Sequence, residues 1–132
     1  MNKKTILMPI ETSSRELVYK IFLCNFLSND GFDCFLGNKA EILNLIKYKS
    51  NYIYLDKGYH KDVSEKIYKI ISNNNGLIVN LDEEGAVAFP DGSPLHLRYS
   101  KEALSYFDMT FFWGSSQKKM VEKLIPKKNI AK

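Results

Sequence analysis

Short apolar segments recur along this chain at intervals of roughly 25 residues, each separated from the next by a helix-like segment. The apolar segments are TILMP (5–9), FDCFL (32–36), NYIYLD (51–56), LIVNLD (77–82) and MTFFWG (109–114). From Arg15 to Asp30 the chain carries Leu17, Val18, Ile21, Phe22, Cys24 and Leu27 and ends in Asn29-Asp30-Gly31. That pattern predicts a mostly buried helix with a glycine stop. Asn38 and Glu41 have capping-box spacing ahead of ILNLIKY. Val63, Ile67, Ile70 and Ile71 lie at helical spacing before NNNG (73–76). Ser100 suits the cap of a short helix through Phe107, and Ser115 or Ser116 the start of a last helix ending near Ile125, before Pro126. Residues 129–131 would begin a sixth strand.

Strands joined by helical crossovers pair in parallel, and nearly continuous apolar strands are expected where helices cover both faces. The expected fold is therefore α/β: a three-layer, doubly wound parallel sheet of Rossmann-like type, formed by residues 1–132 as one domain. Right-handed crossovers favour the strand order 3-2-1-4-5. In that order the winding reverses between strands 1 and 4, and ligands bind beside such a reversal at the carboxyl ends. The loops there would be Pro9 to Arg15 and Asp82 to Gly85.

Charge and motifs narrow the function. The net charge is +4, from 19 basic and 15 acidic residues, and only Arg15 and Arg98 are arginine. Lysines are dispersed until KKMVEKLIPKKNIAK (118–132). A nucleic-acid footprint needs a basic patch with aromatic or arginine readers, and none is evident. The lysines read as a solubilising surface that also allows peripheral contact with a negatively charged membrane face. No apolar run is long enough to span a membrane. MNKKTILMPIE lacks a cleavage signal and reads as a strand. Cys24 and Cys34 read as two lone buried thiols, which fits the cytoplasm. Dinucleotide, Walker and Gly-x-Ser-x-Gly patterns are missing, as is any zinc-ligand spacing, so no cofactor or metal is expected. Asp56 at the end of the third strand invites comparison with a signalling receiver domain. The first strand instead ends in Pro-Ile-Glu and the fifth in Trp113-Gly114-Ser115, which removes that reading. Trp113 fits a packed core strand better than an exposed stacking platform.

The candidate site residues cluster in three stretches. Ser13 or Ser14 would cap the first helix, whose amino end favours an anion. Arg15 there pairs with Glu11 or Glu16, or reaches across the crevice toward the acids or a charged ligand. Asp82, Glu83 and Glu84 follow an apolar strand. A positioned carboxylate acts as a general base toward a hydroxyl or water, and Glu83 and Glu84 are the catalytic candidates. The plainer reading is that Asp82 caps a turn, one Glu pairs with Arg98 and the other faces water. Gly85 would supply a positive φ. The long segment 86–100 has a turn at Pro90-Asp91-Gly92 and carries His96, Arg98 and Ser100 as substrate-binding candidates.

The opening MNKKTILMPIETSSRELVYKIFLCNFLSNDGFDCFLG, then YIYLDKG, LIVNLDEEG, LRYS and FDMTFFWGSSQKK, resembles bacterial surface carbohydrate biosynthesis proteins over nearly the whole chain. The resemblance implies a GT-B-like glycosyltransferase, distantly similar to transferases that add a 3-deoxy-manno-octulosonic acid type sugar to capsule or lipopolysaccharide. Such enzymes have two Rossmann-like domains facing each other across a cleft. The amino-terminal domain holds the saccharide acceptor, and the other holds most of the nucleotide-sugar donor. Glu83, Glu84, Gly85, Arg98 and Ser100 resemble an acidic-Gly stretch followed by Arg-Ser in related capsule enzymes, at a longer spacing. The expectation is an acceptor-side half, inactive alone because transfer needs donor and acceptor held together. Its partner would be a separately encoded donor-binding domain. The rival expectations are a non-catalytic remnant and a Rossmann-type small-ligand or regulatory module.

Overall fold

The computed structural model describes residues 4–83 and 98–124. Its elements in chain order are β1 (Thr5–Ile10), α1 (Ser13–Asn29), β2 (Asp33–Asn38), α2 (Lys39–Leu45), β3 (Tyr52–Asp56), α3 (Ser64–Asn73), β4 (Leu77–Leu81), α4 (Lys101–Tyr106), β5 (Met109–Phe111) and α5 (Ser115–Leu124). The five strands form one all-parallel sheet. Alternate residues of each strand serve opposite faces. Ile6, Met8 and Leu55 pack with Leu23, Cys24 and Leu27 of α1. Leu7, Tyr52, Tyr54 and Ile78 pack with Ile42 and Ile46, Tyr68 and Ile71, and Ala103 on the other side. The fold is thus the expected α/β, Rossmann-like architecture with helices on both faces.

The strand order is β2-β1-β3-β4-β5, not 3-2-1-4-5. β2 takes the edge expected for β3, and β3 moves inside, for a physical reason. β3 is a buried run of Tyr52, Tyr54 and Leu55, suited to a position with neighbours on both sides. β2 starts at exposed Asp33 and ends at Gly37 and exposed Asn38, which suits an edge. The winding therefore reverses between β1 and β3.

Pro9 sharpens that reversal. β1 pairs with β2 along its whole length, as far as Ile10 against Asn38, but with β3 only from Thr5 to Leu7. Proline has no N–H to give a ladder, and the two strands part before it. The parted ends make a crevice at the carboxyl edge.

Local signals act as the sequence suggests at several ends. Asn38 accepts from the Glu41 N–H at 3.0 Å, and Ser100 from the Ala103 N–H at 3.1 Å. α1 closes in a Schellman turn: Gly31 has φ 90°, and the Phe32 N–H donates to Leu27 O at 3.1 Å. α3 closes the same way, but the left-handed residue is Asn75, with φ 53°, rather than the glycine of NNNG. Gly76 is needed for closeness instead: a Cβ there would lie 2.6 Å from Ile71 Cγ2 and 2.8 Å from Tyr52 Cε2.

Other expectations are corrected. The cap position of α1 is Thr12, not Ser13 or Ser14, and Thr12 makes no side-chain cap bond. The Glu16 carboxylate takes over that task. α1 is not mostly buried: Val18, Ile21, Phe22 and Phe26 are exposed, while Glu16 and Lys20 are its buried residues. Charge at these two positions is tolerated because each is fully partnered, as described below. β5 stops at Phe111, so Trp113 lies beyond the strand. Residues 129–131 and the turn at 90–92 lie outside the described residues.

Candidate functional site

The crevice between β1 and β3 is filled by the chain's own charges. Glu16 is 0% exposed and Lys20 1%. One carboxylate oxygen of Glu16 accepts the Glu11 N–H at 3.0 Å and Lys20 Nζ at 2.9 Å. The other accepts the Thr12 N–H at 3.1 Å and Lys57 Nζ at 3.2 Å. Glu16 thereby satisfies two backbone donors at the start of α1. Lys20 Nζ has three acceptors: Pro9 O at 2.7 Å, Glu16 Oε2 at 2.9 Å and Glu83 Oε1 at 3.0 Å. The Pro9 carbonyl lies just past Leu7, where the pairing of β1 with β3 ends.

The chain of charges runs on at both ends. Lys57 and Lys39 both bind Glu11. Tyr19 donates its hydroxyl to Glu83 Oε1. Three lysines thus face three glutamates, drawn from the ends of β1, β3 and β4 and from α1 and α2. Burial opposes the Glu16 carboxylate, but the Glu11 N–H, Lys20 and the Thr12 N–H together hold its pKa down at about 2. Burial likewise opposes charge on Glu11, and Lys39 and Lys57 outweigh it, so its pKa is lowered. Burial and Glu83 push the Tyr19 hydroxyl up, which keeps it a donor.

Asp82 anchors a second cluster. It is buried and accepts Tyr99 OH at 2.8 Å and Arg98 Nη1 at 3.3 Å. Its carbonyl accepts the Trp113 indole N–H, and the Trp113 N–H donates to Gln117 Oε1 at 2.7 Å. Asp82 therefore ties the end of β4 to the start of α4 and to the turn before α5. Arg98 meets the first acid of Asp82-Glu83-Glu84, and Ser100 is occupied as the cap of α4.

Open space lies one strand away from the reversal. A cavity of about 550 Å³ opens over the ends of β4 and β5, lined by Arg15, Tyr19, Leu81, Asp82, Glu83, Phe111, Phe112 and Trp113. Phe111 is 51% exposed and Trp113 59%, so Trp113 is a surface aromatic and not a core residue. The core reading failed because β5 ends before it and its indole N–H is turned onto the Asp82 carbonyl.

The structure thus brings Arg15, Asp82 and Glu83 together at one cavity. Glu11 belongs to the ion network, Ser13 and Ser14 are exposed on the first turn of α1, and Arg98 and Ser100 support the wall. Glu84, Gly85 and His96 lie outside the described residues. Sequence reasoning missed Tyr19, Lys20, Lys39, Lys57 and the exposed aromatics. The only sequence signal for the buried pair was Glu16 and Lys20 four apart on an otherwise apolar helix. No group of three His, Cys, Asp or Glu side chains among the described residues could hold a metal ion, and no helix among them is long and apolar enough to cross a membrane. Comparison of the chain with protein-family models, with curated proteins and with solved structures returns no match.

Proposed function

We propose that the chain is the saccharide-acceptor half of a surface-polysaccharide glycosyltransferase that uses a nucleotide sugar. The observation that carries this reading is the cavity beside β4 and β5. Its wall combines the aromatic groups of Tyr19, Phe111 and Trp113 with the carboxylates of Asp82 and Glu83 and the Arg15 guanidinium. Aromatic faces suit the C–H faces of a sugar ring, and charged groups make the stronger hydrogen bonds to its hydroxyls. Glu83 is the acid of this set best placed for chemistry. Lys20 and Tyr19 both engage its Oε1, which orients the carboxylate and leaves Oε2 as the atom to take an acceptor hydroxyl's proton. The hydroxyl oxygen would then bond to the anomeric carbon of the donor sugar as that carbon's bond to the nucleotide oxygen breaks, and the nucleotide would leave on the separately encoded donor-binding domain. In this reading the chain works in the cytoplasm with its lysine-rich surface toward the inner membrane face.

A second reading rests on the same contacts. Both described acids are engaged inside the protein, Asp82 by Arg98 and Tyr99 and Glu83 by Lys20 and Tyr19. The cavity would then belong to a ligand-binding module without chemistry.

Trp113 is the only tryptophan, so its fluorescence reports on the cavity. Titration with capsule and lipopolysaccharide oligosaccharides should perturb the emission, and nucleotide sugars alone should not. Silence across the oligosaccharide panel would remove the saccharide reading. Transfer should need an added donor-binding domain, and transfer by this chain alone would overturn the half-enzyme reading. In the reconstituted pair Glu83→Gln should abolish transfer and keep oligosaccharide binding. Transfer unaffected by Glu83→Gln would take this acid out of the mechanism, and binding without any transfer would favour the module.

A further inference from the structure

Cys24 and Cys34 are the two cysteines of the chain, and the fold sets them against each other. They are not the lone thiols that the sequence suggests. Cys24 lies in the second half of α1 and Cys34 in β2, and both pack beside Ile6 and Met8 on the face of the sheet that α1 covers. The Schellman turn at Gly31 reverses the chain between them. Both thiols are free and half-buried, and the Cys24 S–H donates to Cys34 Sγ. Burial, then the charge that Cys34 would carry, then this hydrogen bond favour the thiol form of Cys24 over its thiolate. Cys24 therefore keeps its proton until its neighbour has reacted, and Cys34 is the sulfur that reacts first.

We infer that Cys24 and Cys34 form a reversible disulfide by exchange with a small-molecule disulfide of the glutathione class, tying α1 to the edge strand β2. Cys34, as thiolate, attacks one sulfur of oxidised glutathione. A bond forms between Cys34 Sγ and that sulfur, and the other glutathione leaves as a thiolate. Cys34 can then carry no charge, and Cys24 gives up its proton. Cys24 Sγ attacks Cys34 Sγ, and the second glutathione leaves with the electron pair of the broken bond. Two protein thiols are oxidised, one glutathione disulfide is reduced, and the two thiols it becomes take up the two protons. β2 pairs with a neighbouring strand on one side only, so the new bond holds the sheet at an edge. It closes a short loop, and the freedom it removes from the unfolded chain favours the native state. By linkage, folding favours the bond by the same factor.

Equilibration of the full chain in glutathione redox buffers, folded and in urea, tests this. Half of the folded chain should be oxidised at a ratio of reduced glutathione squared to oxidised glutathione at least about tenfold higher than the unfolded chain needs. Peptide mapping of the oxidised protein should join residue 24 to residue 34 within one chain. On oxidation, amide exchange in β2 should slow. The single variants read the order of events, with circular dichroism to confirm that each is folded. Cys24→Ser should stop at a mixed disulfide between Cys34 and glutathione, and Cys34→Ser should gain much less adduct. A bond only between chains would overturn the inference, as would a parent that stops at the glutathione adduct. So would a folded chain no more readily oxidised than the chain in urea. Adduct on Cys34→Ser at the level of Cys24→Ser would overturn entry through Cys34.

Discussion

Glu16 and Lys20 are charged, one helical turn apart, and buried. Their burial is tolerable because every polar atom at their tips meets a partner: two backbone N–H groups, Lys57, the Pro9 carbonyl and Glu83. Removing Lys20 leaves buried Glu16 with Lys57 as its one cation and takes the Lys20 donor from the Pro9 carbonyl, which is costlier than the pair is worth. Lys20→Met should therefore destabilise the fold by about 3–5 kcal/mol, read from denaturant unfolding at neutral pH. Glu16 also sets a pH dependence. Its pKa falls from 4.5 to about 2 on folding, so the native state binds fewer protons than the unfolded chain below pH 4.5. The contribution, roughly 3 kcal/mol, is present in full above that value and is lost as pH falls toward 2. The difference in unfolding free energy between parent and Glu16→Gln should shrink across that window. Cys24 gives a third test. Burial first, and then the neighbouring Cys34, push its thiol up to about 11. It should resist alkylation at pH 8 in the native protein and react once urea unfolds it.

Elements obey a different logic, and much of it is local. Asn38 and Ser100 were readable as caps because a side-chain oxygen three residues ahead of a helical N–H needs no tertiary partner. Asn38→Ala should cost about 1 kcal/mol in unfolding experiments. The turn after α3 was readable as a stop, but its inner logic was not. Asn75 holds the left-handed conformation, and Gly76 is small because Ile71 and Tyr52 press on it. Gly76→Ala should destabilise by about 1–3 kcal/mol through overpacking. The burial of α1 was misread for a related reason. Apolar periodicity says that a face will be covered, not by which surface, and here one side packs on the sheet while Val18, Phe22 and Phe26 point outward.

At the scale of the whole molecule the sheet is graded from centre to edge. β1 and β3 sit inside it, while β5 is a three-residue edge whose Met109 and Phe111 stay exposed. Amide hydrogen exchange should be slowest in β1 and β3 and at least about tenfold faster in β5 and α5. The sequence by itself determined the α/β class, the parallel pairing, the number of strands among the described residues and most helix ends. These follow from periodicity, connection length and capping, all of which act within a short stretch of chain. Only the tertiary structure decided which strand stands beside β1. That choice rested on whether β2 or β3 could be buried on both edges. It moved the reversal to the Pro9 crevice, which the lysine–glutamate network closes, and left the open cavity beside β4 and β5. Long-range pairing of charges depends on that placement, and a linear pattern of residues carries no measure of it.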